Sequence, residues 1–280
     1  MSGVVRVLGP QDLPRARALL DRNPLENLFV NARLDMGGLE RNRPGTRVWG
    51  WESDGELTAL CHAGANLVSV GADAEALDAF AEQLGPRRIS ASIMGAADQT
   101  RGLYERLAQR WGDAWAHPRE IRAHQPLMSV DGMSLIVPDE RVHPIAPSLL
   151  QPYLSAAVSM YTEEVGVSPL DGTRGYENYV HSLIMMGRAF GAYDEAQRKV
   201  WFKADIGCAH EWACQIQGVW LDPLLRGRGL AKPAMAQVVR LCLRAYPVVS
   251  LYVNDFNTRA RRLYERVGFR TVSELATVLY

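Results

Sequence analysis

A chain of 280 residues is long for one ordinary domain and suits two of about 130–150 each. Hydrophobic residues make up 48% and charged residues 22%, a globular balance without a disorder signature. Lys plus Arg equals Asp plus Glu at 31 each, so global charge gives no reason to expect nucleic acid or an acidic membrane as partner. Cys61, Cys208, Cys214 and Cys242 form no CxxC pair, which removes the tight spacing a structural zinc site needs and leaves reduced, buried thiols. At the N-terminus, Arg6 and Asp12 interrupt any signal-peptide core, and the uncharged stretch 142–162 carries Pro144, Pro147 and Pro152 among polar residues. It lacks the roughly 20 apolar residues of a spanning helix. A soluble, cytoplasmic protein is expected.

In chain order, 87–94 (RRISASIM) is a strand-like run, followed by a helix containing Leu103-Tyr104-Glu105-Arg106-Leu107. Trp49, Trp51, Trp111 and Trp115 suit either a pocket wall or core packing. Residues 131–141 (DGMSLIVPDER) read as a linker, giving domains over 1–135 and 136–280. Helical patterns then cover 147–165 and 175–190, and strands are expected at 199–208 and 212–221. Leu230, Ala234, Val238, Leu241 and Ala245 mark a helix over 229–245 that stops before Pro247, and 248–253 is a short buried strand. A second helix is expected over 258–267 with Gly268 as its C-terminal cap, and strand material follows from Phe269. Helices, two strands, helix, strand, helix and strand in this order predict a mixed α/β layer. Leu263-Tyr264-Glu265-Arg266-Val267 repeats the earlier LYERL at an offset of about 160, which suggests two similarly folded halves.

The segment 221–231 (LDPLLRGRGLA) joins a strand to a helix through a glycine-rich turn. The first turn of a helix leaves backbone N–H groups without partners and carries partial positive charge, so it suits a pyrophosphate. Gly227 and Gly229 let the backbone approach the phosphates, and Arg226 and Arg228 add charge. Pro233 falls in the first turn, where a missing N–H does no harm.

Arg226, Gly229 and Ala231 fit (Q/R)-x-x-G-x-(G/A), and Asn257-x-x-Ala260-x-x-Leu263-Tyr264-Glu265 with Gly268-Phe269 follows at the right separation. Together they resemble the GCN5-related N-acetyltransferases (GNAT), and the whole chain looks like actinobacterial tandem GNAT proteins with an uncharacterised N-terminal domain. The resemblance is clear over 199–280 and looser from 141. It implies an α/β mixed-sheet fold with two GNAT-like domains, the first degenerate because 66–71 (NLVSVG) carries no cradle at the repeat offset. It further implies acetyl-CoA as cosubstrate and direct transfer of the acetyl group to a primary amine. Val219, Trp220, Leu221, Arg226, Gly227, Arg228, Gly229, Leu230, Ala231, Lys232 and Asn257 would bind the cofactor, with the Val219 N–H polarising the carbonyl and Tyr264 protonating the thiolate. Tyr264 also fits an apolar helix face with Ala260, Leu263 and Val267, and Asn257 fits a helix cap.

Where some relatives carry a basic glutamate, this chain has Gln215. Glu211 is the nearest carboxylate and the first choice for general base; His210, Glu163, Glu164, His181 and a water relay are alternatives. The amine acceptor, a small molecule or a protein, is not identified by any motif, and a homodimer is left open. No nucleic acid, membrane or metal is expected. Two other readings compete: a non-catalytic acyl-CoA-binding regulator, and an aminoacyl transferase using charged tRNA, which the neutral charge and intact loop disfavour.

Overall fold

The computed structural model describes residues 3–40 and 46–280. The chain forms two compact units: the first comprises Met1–Leu127, Tyr252–Phe256 and Thr271–Tyr280, the second Met128–Leu251 and Asn257–Arg270. In chain order the elements are β1 (Val4–Val7), α1 (Leu13–Leu20), α2 (Leu28–Gly37), β2 (Arg47–Ser53), β3 (Glu56–Ala63), β4 (Asn66–Val70), α3 (Ala74–Leu84), β5 (Ser92–Ala96), α4 (Ala97–Trp111), α5 (Asp113–Ala116) and β6 (Glu120–Val130). They continue as β7 (His143–Pro144), α6 (Leu150–Val165), α7 (Gly175–Met185), β8 (Ala189–Asp194), β9 (Lys199–His210), β10 (Ala213–Leu221), α8 (Ala231–Cys242), β11 (Val248–Tyr252), α9 (Thr258–Val267) and β12 (Arg270–Leu279). Among the described residues no helix is long and apolar enough to cross a membrane.

In the first unit the strands run in the order β1-β2-β3-β4-β5-β12. Asp54 and Gly55 join β2 to β3 with φ of 53° and 83°, the two positive angles a two-residue hairpin turn requires. Ala76, Leu77, Phe80 and Ala81 form the buried face of α3, and they pack with Leu103 and Leu107 of α4 in one core cluster. The four tryptophans settle into this core: Trp51 and Trp115 are buried in it, and Trp49 and Trp111 pack against it. The Trp111 and Trp115 indole N–H groups donate to the carbonyls of Ala81 and Gly85 at the end of α3, at 2.8 and 3.0 Å. Core packing, not a pocket, accounts for them.

In the second unit the order is β7-β8-β9-β10-β11. Tyr153, Ala156 and Ala157 of α6 and Val180, Leu183 and Ile184 of α7 share a core cluster with Ala189, Val200 and Trp220 of the strands.

Three sequence expectations are corrected. The helix expected over 175–190 ends at Met185, because Gly187 turns left-handed at φ 66° and Ala189 already opens β8, a strand the pattern did not show. The constant repeat offset holds for the helices but not for the strands: β5 runs directly into α4, whereas residues 253–257 separate β11 from α9. A cut at 135/136 would also leave β12 with the second half, yet 271–280 belong to the first unit. There Leu275 to Leu279 pair antiparallel with Ala96 to Ser92 of β5, and the paired stretch is the buried part of β12. Leu275, Ala276 and Val278 are buried in this pairing.

Candidate active site

The hairpin β9–β10 forms the floor of the site. On its other side β10 runs parallel to β11 over three residues only, Ala213 to Gln215 against Val248 to Ser250. Beyond them the register stops, so residues 216–221 present an edge not laddered to β11. The pairing with β9 is also broken in this stretch. Gln217 faces Asp205 and Trp220 faces Lys203, so Gly218 and Val219 together oppose one residue of β9, a β-bulge. Gly218 takes φ 59°, the left-handed region that favours glycine. Val219, Trp220 and Leu221 are thus strand residues at the released edge, as expected for a stretch offering backbone groups to a ligand. Trp220 is buried, and its indole N–H donates to Glu163 at 3.3 Å.

The strand leads into the glycine-rich turn through a pinned corner. Asp222 accepts from the Leu224 N–H at 2.9 Å and pairs with Lys199 at 2.5 Å. Arg226 donates from Nε to the Leu221 carbonyl at 3.0 Å and from its two terminal nitrogens to Glu163 at 2.6 and 2.7 Å. This fork-to-fork pairing clamps the turn to α6, and it keeps the Glu163 carboxyl below its usual range. Gly227 and Gly229 follow at φ 79° and 80°, and a Cβ at either position would meet no atom within 4 Å, so both border open space. Arg228 is exposed, and Leu230, Ala231 and Lys232 are half-buried.

Helix α8 then follows the N-cap residue Leu230 with no side chain capping it, whereas Asp73 caps α3 and Asn257 caps α9 through Ala76 and Ala260. An uncapped start behind two left-handed glycines leaves donors for an anion. Pro233 is the third residue of α8, and the first intrahelical bond comes from the Ala234 N–H, so the proline disturbs nothing. The first unit lacks this arrangement. Its 66–70 segment is strand β4, only residues 71–73 precede α3, Asp73 occupies the helix start, and the Gln99 amide holds the N–H and carbonyl of Ala72 at 3.0 Å each.

On α9, Asn257 accepts from the Ala260 N–H at 3.1 Å, so the capping role is realised. Tyr264 is 8% exposed and stands edge-on to Phe269 at 5.9 Å between ring centres. Burial, and then the charge of Glu164, push its phenol well above its ordinary pKa, so it stays protonated at neutral pH. The expected base is not brought to the site. Glu211 sits exposed at the tip of the β9–β10 turn with φ 31°. Eight positions separate it from Val219, about 26 Å along a strand. His210 lies at the same end, and Gln215 is buried with its side-chain oxygen 3.7 Å from Cys208 Sγ. Of the α6 carboxylates, Glu163 is engaged by Arg226, while the charge of Glu164 acts on both Tyr264 and Tyr176.

Sequence reasoning passed over the groups behind the bulge. Lys203 is wholly buried; its ammonium donates to Asp205 at 2.6 Å and to the Gly218 carbonyl at 2.8 Å. Tyr153, also buried, donates its hydroxyl to Asp205 at 2.5 Å. Next to them Tyr161, Tyr176 and Tyr179 are in successive ring contact at 5.5 and 6.2 Å, and Gln217 donates to the Tyr179 hydroxyl at 2.5 Å. The available signal was Lys203-x-Asp205 between the apolar runs 200–202 and 206–209, which places both charges on one face.

The second unit thus has a released strand edge running through a glycine turn into an uncapped helix, and solved structures of acetyltransferases share its fold. An acetyltransferase of the GNAT family from Colwellia psychrerythraea is 11% identical, with a TM-score of 0.59 and 99% of each chain covered. A GCN5-related N-acetyltransferase from Sphaerobacter thermophilus is 15% identical, with a TM-score of 0.60, covering 99% of this chain and 96% of that one. A tandem GNAT protein from the clavulanic acid biosynthesis pathway is 13% identical, with a TM-score of 0.55 and coverage of 99% and 98%. At this identity the likeness concerns the fold. Residues 189–269 match the acetyltransferase (GNAT) family, and residues 46–153 match a domain of unknown function, DUF4081. No curated protein matches the chain.

Proposed function

We propose that the second unit transfers an acetyl group from acetyl-CoA to a primary amine by direct attack. In that reaction the amine nitrogen bonds to the thioester carbonyl carbon, the C–S bond breaks, the nitrogen loses a proton and the thiolate gains one. The run from 216 to 232 carries the assignment: a strand edge released from its neighbour leads straight to an uncapped helix start behind two left-handed glycines. The residues present suit a pyrophosphate on an amide arm, because Gly227 and Gly229 border open space where a Cβ would stand.

In this reading the Val219 N–H donates to the carbonyl oxygen as it gains charge, and Trp220 and Leu221 hold the pantetheine arm by their backbone. Residues 227–232 supply N–H donors to the phosphates, Arg228 and Lys232 supply charge, and Arg226 holds the turn through Glu163. Asn257 fixes the start of α9 and with it Tyr264, which donates to the departing sulfur. The ammonium proton leaves through a water relay or to Glu164 of α6. The first unit, with its helix start filled by Asp73, binds no CoA in this reading.

Calorimetric titration of acetyl-CoA into the wild type and Gly229→Glu tests this. The carboxylate is placed where the phosphates should lie, and binding is expected to fall at least about a hundredfold, the range of one to a few buried charge contacts. Equal binding by both proteins refutes the site. Binding without turnover across an amine panel would favour a non-catalytic acyl-CoA-binding role.

A further inference from the structure

A buried lysine on a strand next to a ligand-facing bulge needs a reason, because an ammonium loses its hydration there and must be compensated. Lys203 has no exposed side-chain surface, and Asp205, two residues on, is 7% exposed. The pair is satisfied on all sides: the ammonium bonds Asp205 at 2.6 Å and the Gly218 carbonyl at 2.8 Å, and lies 5.4 Å from the Tyr153 ring centre. The Tyr153 hydroxyl bonds the other Asp205 oxygen at 2.5 Å and also approaches the carbonyls of Ala204 and Phe190 at 3.2 and 3.3 Å. Two of the three backbone partners have a common feature. Ala204 is the single residue of β9 opposite the bulge, and Gly218 is its first residue on β10. A bulge interrupts the ladder, and an apolar interior offers no water to satisfy the freed carbonyl.

We infer that Lys203, with Asp205 and Tyr153, is a positioning residue that locks the Gly218–Val219 bulge by holding the Gly218 carbonyl, and so aims the Val219 N–H at the acyl carbonyl. The carbonyl of Gly218 and the nitrogen of Val219 belong to one planar peptide group. Holding the oxygen on the Lys203 ammonium therefore orients the N–H the opposite way, and a shift at Lys203 turns the donor. This inference rests on the acyl-transfer reading above. Lys203 touches neither substrate in this scheme; it acts through the peptide plane. It also explains Gly218 itself: a Cβ there would lie 2.9 Å from the Lys203 nitrogen and 3.0 Å from Asp205.

The test compares wild type, Lys203→Met and the double variant Lys203→Met/Asp205→Asn. The double variant removes both charges, leaves no orphaned carboxylate, and retains an acceptor for Tyr153. Thiol release from acetyl-CoA with an accepting amine, calorimetric affinity for acetyl-CoA, melting temperature and amide hydrogen exchange over 216–221 are read together. The double variant is expected to fold and to bind acetyl-CoA within about threefold of wild type, while kcat falls between about tenfold and a thousandfold, the range for a misaligned or lost oxyanion donor. Exchange over 216–221 should quicken at least about tenfold as local opening becomes easier. A folded double variant with wild-type kcat, or with unchanged exchange over 216–221, overturns the inference, because the network would then be structural alone. If wild type itself binds and turns over no acyl-CoA, the acyl-transfer reading fails and with it the purpose assigned to the lock, whereas the exchange comparison still shows whether Lys203 holds the bulge.

Discussion

Gly218→Ala and Gly227→Ala make the same chemical change at two left-handed positions of one ligand-facing segment, at φ 59° and 79°. Each variant forces an alanine into a conformation that is unfavourable by about 1–2 kcal/mol for an L-residue. At Gly227 nothing lies within 4 Å of the new Cβ, so the backbone penalty is the whole effect. At Gly218 the Cβ meets Lys203 Nζ at 2.9 Å, Asp205 Oδ2 at 3.0 Å and Met160 Cε at 3.2 Å. A lysine end would ordinarily swing aside, but this one is wholly buried and bonded to two partners. Overpacking of that kind adds about 1–3 kcal/mol. Gly218→Ala should therefore lose about 2–5 kcal/mol against about 1–2 for Gly227→Ala. In melting temperature the difference between the two variants amounts to several degrees, at about 2–4 °C per kcal/mol for chains of this size class. Urea titration followed by far-UV circular dichroism, with differential scanning calorimetry, measures both. Equal destabilisation of the two variants, or a Gly218→Ala protein within about 1 kcal/mol of wild type, would refute the rigidity assigned to the Lys203 network.

Other consequences follow from single groups. Tyr264→Phe should lower kcat by about a hundredfold or more if the phenol is the proton donor, with acetyl-CoA affinity nearly unchanged; an unaltered kcat assigns Tyr264 to the core. In the first unit, the Arg6 guanidinium bonds both Asp12 oxygens at 2.7 and 2.8 Å and, aided by the Gly9 N–H and against burial, holds the Asp12 carboxyl down at about 2. A depressed carboxyl stabilises the fold above the unfolded value near pH 4 and loses that contribution as pH falls through about 2. Asp12→Asn should accordingly cost about 2 kcal/mol at pH 6, with the gap closing below pH 2, as pH-dependent urea titrations would show. All four cysteines are buried and none is in a disulfide, and burial pushes the Cys61 thiol up to about 12. Native protein should react with a thiol reagent far more slowly than protein in urea; prompt labelling of Cys61 would contradict its burial.

The sequence by itself determined the local parts of this protein. The turn through Gly227 and Gly229, the helix over 258–267 with its Asn257 and Gly268 caps, and the strands flanking residue 211 depend on spacing within a dozen residues, and each took its expected form. So did the loss of the cradle in the first half, since no glycine-rich turn stands before α3 and Asp73 fills the helix start. Tertiary structure decided what depends on partners distant in the chain. It joined β12 to β5, because a strand's apolar face does not name its neighbour. It also left Glu211 exposed in the β9–β10 turn, far along an extended strand from Val219. The reverse holds for Lys203 and Glu163. They reach Gly218 and Arg226 only because β9 and α6 fold against β10 and its turn, and hydrogen bonds between such elements leave no periodic trace in the sequence.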